Sequence, residues 1–535
     1  MRASLRGHLG AKLLAGGNEL PALPVVVQTS FQYTGPHMQP LATSCVVLGL
    51  LGPVLGQTTI RSTGDGGAIP GTTTVAVKGP PSSPFLLLFS DVEKNWQPIP
   101  GLKLRIDINL LSLSLATPGF LGALNRRGDA IAKLQVPSEP ALHGLRLSFQ
   151  AIGLQPIGKA SNLLRVSLQR PNTFAPTLKP ALAPIVTGKG FVQKDGKVLL
   201  LGGSGPLAQE YDPSLETFRV VGAVPSGNIL ATQTQLLDGT ILVAGGIGLN
   251  GQPVKTAFLF DPATHRSRAL PNMGSARAGH AAARLRDGRV LIVGGAASLD
   301  FANLPAFLAG IQNTSELFDP KKRAFVPGPA LLEKKMFHSA TTLGNGEVLV
   351  AGGLSVVPVL NVPIVSPIAQ AYTPSLGIFG LPRLMAPRML HGATALGNGR
   401  ALLAGGLTID FTKFLRTQNI LDLKLTSVDD AVTYRGGLFG GFSRPMKLSA
   451  GRLLPAVAPI GSQRALIAGG FNLVLSATEF KFVPLAEADL LSGSTVAATG
   501  KMKSARTGAV AVPLLDGTVL VTGGGVLESE IFQPK

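Results

Sequence analysis

The chain holds one cysteine, Cys45, one tryptophan, Trp96, and four tyrosines among 535 residues. A lone thiol excludes an internal disulfide and any Cys/His zinc site built on paired cysteines, so packing must hold the fold together. Charge is scarce as well: charged residues make up 14% of the chain, against about a quarter in an average soluble domain. Apolar residues still reach 45%, enough for a core and too many for a disordered chain. Acid is the scarcer sign, with 29 Asp and Glu against 48 Lys and Arg, a net charge of +19. A basic excess is part of a nucleic-acid footprint. Here the basic residues are spread thinly and aromatics are only 5%, which leaves few platforms for stacking bases, so no nucleic acid is expected as a partner. The same shortage of Trp and Tyr weakens a lectin reading.

Long apolar runs are missing too. Leu41 to Gly56 carries no charge, but it is too short for a comfortable membrane span, and no transmembrane anchor is expected. Arg2, Arg6 and Lys12 lie upstream of it, and Val54 and Gly56 suit signal peptidase. Residues 1–57 therefore read as an export signal or leader, with an extracytoplasmic location for the rest. A start at Met38, or a leader without targeting function, is the alternative.

What the chain has in excess is backbone punctuation, 66 Gly and 41 Pro, which excludes a mainly helical protein. Self-comparison shows where much of it goes. A nine-residue unit of the form Asp-Gly-x-Val-Leu-x-x-Gly-Gly returns seven times, starting at Asp195, Asp238, Asp287, Asn345, Asn398, Ser462 and Asp516. Its seven strand-ending pairs are Gly202 and Gly203, Gly245 and Gly246, Gly294 and Gly295, Gly352 and Gly353, Gly405 and Gly406, Gly469 and Gly470, Gly523 and Gly524. The spacing averages about 53 residues, a repeat-protein period. Asp-Gly or Asn-Gly supplies the positive φ angles of a two-residue type I′ hairpin, and the apolar residues after it suit a strand buried on both faces. The glycine pair then marks close backbone approach.

Upstream of each turn lies a small-residue strand, as in Phe337-His-Ser-Ala-Thr-Thr-Leu343. Downstream comes a third strand ending in an aromatic, as in Glu210-Tyr-Asp-Pro213 and Glu316-Leu-Phe-Asp-Pro320, and then a short fourth marked by Thr217-Phe218 or Ala324-Phe325. Four antiparallel strands repeated seven times make a seven-bladed β-propeller, an all-β fold. The last copy lacks a fourth strand, and Asn172-Thr173-Phe174 matches the missing piece, so residues around 172–180 should pair with the C-terminal blade. The expected domains are 1–57, a small β-sandwich-like module over 58–170, and the propeller over 171–535. Within the module, Leu102 to Leu110 and Leu145 to Ala151 alternate as strands.

The glycine pair together with the downstream Glu-aromatic-Asp-Pro resembles the kelch repeat, in the form seen in the central domain of galactose oxidase-like proteins. The resemblance covers about residues 172 to 535; the fourth-strand Trp typical of kelch is Phe or absent. Those oxidases bind copper through two His and two Tyr, one Tyr cross-linked to Cys. Residues 172–535 contain no Cys, so that cross-link cannot form, and neither cofactor nor metal is expected. Tyr211, Tyr372 and Tyr434 share one third-strand position, and His280, His338 and His391 each stand seven residues before a turn. Recurrence in register favours a structural role for both sets.

One register carries charge. Ten residues before the turn stand Arg277, Lys335, Arg388, Arg452 and Arg506, with Ile185 and Asn228 in the other two copies. In kelch-like proteins this position enters the innermost strand at the channel mouth. The five are the candidate ligand-binding residues: a ring of cations there would concentrate an anionic partner. Alternatively, each clamps neighbouring backbone. No catalytic motif stands out. The expected function is a binding or scaffold protein recognising a protein, an anionic glycan or a small molecule at the channel mouth. The alternative is a carbohydrate-active enzyme, mutarotase-like or a degenerate oxidase. A cluster of Glu, His and Arg at one mouth would favour the enzyme.

Overall fold

Each repeat unit runs from a hairpin into a strand whose apolar residues are fully buried, for example Val198–Leu201, Ile241–Ala244, Val290–Val293 and Val348–Ala351. Such strands tolerate no polar face because a neighbouring blade covers each side. The structure, a computed structural model, describes residues 58–534 except 65, 100–101, 155–156, 204, 226–228, 301, 358–359, 381–382, 398, 418, 438–439 and 476–478. Residues 1–57, expected as an export leader and including Cys45, lie outside the described residues.

The hairpins are not of the two-residue kind. In five copies the turn closes around three residues, as where the Leu236 N–H donates to the Thr240 carbonyl and the Gly239 N–H to the Leu236 carbonyl. Only the glycine takes positive φ (Gly239, +93°; Gly346, +92°), the geometry of a type I turn followed by a left-handed bulge residue. Asp or Asn is present for its side chain instead: Asp238 Oδ1 accepts from the Thr240 N–H at 2.9 Å, and Asp195, Asp287, Asn345 and Asp516 each cap the amide two residues on in the same way.

Among the described residues seven antiparallel blade sheets follow, five of four strands and two, in blades 4 and 5, of five because the fourth strand is divided; together they make a seven-bladed β-propeller. Their innermost strands, Lys189–Val192, Thr232–Gln235, Ala281–Arg284, Ser339–Thr342, Gly392–Ala395, Ala456–Ile460 and Ala509–Pro513, surround the axis. In blade 7 the fourth strand is Thr173–Pro176, from the start of the propeller, antiparallel to Glu530–Gln533. The recurring aromatics pair across strands three and four: Tyr211 with Phe218, Phe318 with Phe325, Tyr434 with Phe442, and, across the closure, Phe174 with Phe532 at 4.9 Å. In these blades the fourth-strand Phe packs one ring against the aromatic of the third strand.

The preceding module is a small sandwich. One sheet joins Thr59–Gly64, Gly71–Lys78 and Asp129–Val136; the other joins Leu164–Ser167, Arg146–Leu154, Pro84–Ser90 and Leu121–Ala123. Val75, Leu87, Phe89, Phe120 and Phe149 form its core. The alternation read from Leu102 to Leu110 ends as a strand at Ile106, because Asn109 turns back onto Ser90 and Asp91 and a short helix, Leu111–Ala116, follows.

Blades 3 to 6 each insert a segment after the glycine pair, at the end of the propeller where the innermost strands begin. Blade 3 adds the helix Leu304–Gly310, and blades 4, 5 and 6 add the hairpins Leu354–Val357/Val362–Val365, Leu407–Asp410/Lys424–Ser427 and Phe471–Leu475/Phe480–Pro484. The divided fourth strand of blade 5, Gly441–Phe442 and Met446–Lys447, lies at the blade's outer edge.

Candidate functional site

The charged register does not face the channel. Arg277 is 1% exposed, and Lys335, Arg388, Arg452 and Arg506 are 0% exposed. Each donates to the carbonyl of the first glycine of its own blade: Arg277 to Gly294 at 2.8 Å, Lys335 to Gly352, Arg388 to Gly405, Arg452 to Gly469, Arg506 to Gly523. Each also meets a carboxylate, respectively Glu316, Glu333, Asp430, Asp489 and Glu530, at 2.6 to 3.0 Å. The expectation of an open cationic ring is therefore corrected. A carbonyl terminus and a carboxylate neutralise each cation, leaving none to draw an anion. Burial pulls the Arg277, Arg452 and Lys335 cations below their ordinary pKa, and the facing carboxylates oppose it.

The same residues tie blades together through their backbone. The second glycine's N–H donates to the clamp residue's carbonyl in the next blade: Gly246 to Arg277, Gly295 to Lys335, Gly353 to Arg388, Gly406 to Arg452 and Gly470 to Arg506, at 2.7 to 2.9 Å. A Cβ on Gly352 would stand 2.2 Å from the Arg388 carbonyl, which explains why glycine is needed there. The histidines serve these same junctions. His280 meets Thr232 of the preceding blade at 3.0 Å, and His391 meets Ser339 at 2.8 Å. Among the described residues no side chain meets the His338 ring as a hydrogen-bond partner, since Ala281 stands where Thr232 and Ser339 stand for the others. Burial and the adjoining clamp cations push His280 and His391 down to about 3, and His338 well down too. Neutral buried rings of this kind are structural. Tyr211 and Tyr434 are occupied in the aromatic pairs already described, and Tyr372 packs on Phe379 in the same way, with ring centroids 5.4 Å apart.

What does form the channel mouth is the residue two positions beyond the clamp: Thr187, Leu230, Gly279, Phe337, Leu390, Leu454 and Gly508. All seven have φ between +46° and +63°. They join main chain to main chain from blade to blade, with N–H to carbonyl bonds from Gly279 to Leu230, Phe337 to Gly279, Leu390 to Phe337, Leu454 to Leu390 and Thr187 to Gly508. Left-handed backbone costs a non-glycine residue about 1–2 kcal/mol, so five of these positions hold strain that the ring of bonds maintains. Phe337, Leu390 and Leu454 then pack against one apolar cluster that runs through all four insertions, including Phe307, Leu354, Leu407 and Phe471. The result is an apolar cup at the axis, walled over blades 3 to 6. Exposed Leu360, Leu421 and Phe482 top the wall.

No family model matches the chain, and no curated protein matches it. Among solved structures, the chain is similar to the structure of YjhT, at 16% identity and a TM-score of 0.47, covering 60% of this chain and 99% of that one. It is also similar to a fungal alcohol oxidase of the AA5 family in complex with copper, at 16% identity and a TM-score of 0.48, covering 68% and 76%. These are likenesses of fold. Among the described residues no group of three or more His, Cys, Asp or Glu is arranged to hold a metal, and no helix is long and apolar enough to cross a membrane.

The mouth residues were missed in the sequence, although their signal was present. Met336-Phe337, Met389-Leu390 and Leu453-Leu454 put two apolar residues directly after three of the five clamps, Lys335, Arg388 and Arg452, in a segment that loop chemistry would make polar.

Proposed function

We propose that this chain is an exported binding scaffold whose partner seats an apolar group in the cup of Leu230, Phe337, Leu390 and Leu454. The observation that carries the reading is the welding of four consecutive insertions into one wall beside that ring. Rim-to-axis asymmetry over four of seven blades serves no purpose in closing the propeller, and loops on a rigid scaffold are where recognition is placed. The apolar lining speaks for a protein or peptide partner over an anionic glycan, and the mouth residues are not a Glu, His and Arg cluster of the kind an enzyme reading needs. Export rests on the leader, with its basic residues ahead of an uncharged stretch.

The test is a peptide-display and glycan screen against the purified full chain at two salt concentrations. Apolar peptides should bind with little salt dependence. Anionic glycans whose binding collapses with salt would overturn the reading. The variant L390N/L454N removes apolar surface, and Asn accepts left-handed backbone more readily than Leu. It should keep or raise the melting temperature and lose the peptides; full retention of binding would place the site elsewhere. Cell fractionation with and without residues 1–57 tests export.

A further inference from the structure

The junction between the sandwich and the propeller runs against the charge of the chain. Asp195, Asp212, Glu216 and Asp516 gather there in a protein of net charge +19. The nearby cations offset part of this charge. Arg165 forms a two-bond pair with Glu93 and donates to the Leu215 carbonyl, and Lys197 reaches Glu210 at 3.2 Å and stands 4.0 Å from both Asp195 and Asp212. Arg146 and the Leu178 N–H donate to the Glu216 Oε2 at 3.0 and 3.1 Å, and the Ser167 hydroxyl donates to its Oε1 at 2.7 Å, so any ion there would share these oxygens.

Between these groups lies a cavity of about 30 Å³, room for one or two water-sized bodies, lined by Gln169, Tyr211, Glu216, Asp516 and Thr518. The segments come from distant parts of the chain. Gln169 lies on the strand leaving the sandwich, Tyr211 and Glu216 flank the third turn of blade 1, and Asp516 heads the hairpin of blade 7. Gln169 is 1% exposed, and among the described residues no hydrogen-bond donor meets its Oε1. An acceptor oxygen buried without a donor costs on the order of 1–3 kcal/mol, and beside two carboxylates it asks for a positive ligand. The Asp516 Oδ1 caps the Thr518 amide and hydroxyl. Burial and the facing Glu216 raise the Asp516 carboxyl above its usual range.

We propose that this junction binds a calcium-sized divalent cation through the Asp516 and Glu216 carboxylates, the Gln169 amide oxygen and the Tyr211 hydroxyl. Oxygen-only donors with water completing the shell are what calcium accepts, whereas magnesium demands a tighter octahedron. With two carboxylates only, the affinity belongs to the weak class of extracellular modules, on the order of 10⁻⁴–10⁻³ M. The ion would join the first and last blades of the ring to the sandwich.

Equilibrium dialysis with radioactive calcium on the chelator-stripped full chain should show one ion bound per chain. Melting temperature should rise saturably by about 2 °C in millimolar calcium, and less in magnesium. D516N keeps the turn cap, since the amide retains an Oδ1, and should abolish binding while the metal-free melting temperature holds or rises. Q169L should weaken binding severalfold even if D516N fails to fold. No calcium bound at 10 mM, or undiminished binding by both variants, would overturn the site and leave the cavity to water.

Discussion

Arg452 and Asp489 are 0% and 1% exposed, so removing either strands a charge inside the propeller. R452A should destabilise the chain by about 3–5 kcal/mol, while R452M/D489L should recover part of that loss, because replacing both partners leaves no orphan. Urea denaturation of the three proteins checks it; equal losses in single and double variants would show that the bonds to the Gly469 and Glu487 carbonyls dominate instead. A gain is available at the neighbouring junction. A281S offers His338 the hydroxyl that Thr232 and Ser339 offer its counterparts, and should stabilise by about 1 kcal/mol. The positions of these clamps were legible because they keep a fixed distance from a turn. Their burial was not, since four of the five carboxylates arrive from the third strand, 24 to 42 residues further on. The Glu of Glu316-Leu-Phe and Glu530-Ile-Phe was visible as a repeat feature without revealing what it faced.

Strands were easier to read than the loops between them. Alternation, turn chemistry and the glycine pairs mark all four positions of a blade, and Thr173-Phe174 repeats Thr217-Phe218 at the fourth position of blades 7 and 1. The inserted hairpins of blades 4 and 6 carried no such mark: Leu354 to Val365 is apolar but for Ser355 and Asn361 and reads as a continuation of the buried strand before it. Hairpin type was misread because Asp-Gly serves two turns equally well, and only the Asp side-chain cap separates them. The closing strand makes a prediction of its own. A chain ending at Gly525 loses Glu530–Gln533, the strand between Val519–Gly523 and Thr173–Pro176, and should melt well below the parent in a single broadened transition. F174A, which removes only the ring packed on Phe532, should cost about 2 kcal/mol. An unchanged melting temperature in the truncated chain would mean that the ring does not depend on that strand.

Across the whole molecule, the three buried histidines make stability a function of pH. Their folded pKa lies below the ordinary value of 6.5, at about 3 for His280 and His391, so the unfolded chain binds the extra protons between those limits. Stability contributed by keeping them neutral is complete above 6.5 and is lost as pH falls below it, by up to about 1.4 kcal/mol per pH unit for each ring. His338 is shifted in the same direction, so the three together could remove about 4 kcal/mol per unit once pH is well below 6. Against a typical total of about 5–15 kcal/mol, this places acid unfolding between about pH 5 and 4. The rings occupy the junctions of blades 2 to 5, so opening should begin there, beside the wall of the cup. Hydrogen exchange at pH 5.5 should therefore rise first in Thr232–Gln235, Ala281–Arg284, Ser339–Thr342 and Gly392–Ala395. Denaturation between pH 7 and 5 gives the slope, and H391Q should reduce it by about a third. A flat profile over that interval would show that the rings accept protons in the folded state, and that their burial is not what holds these blades.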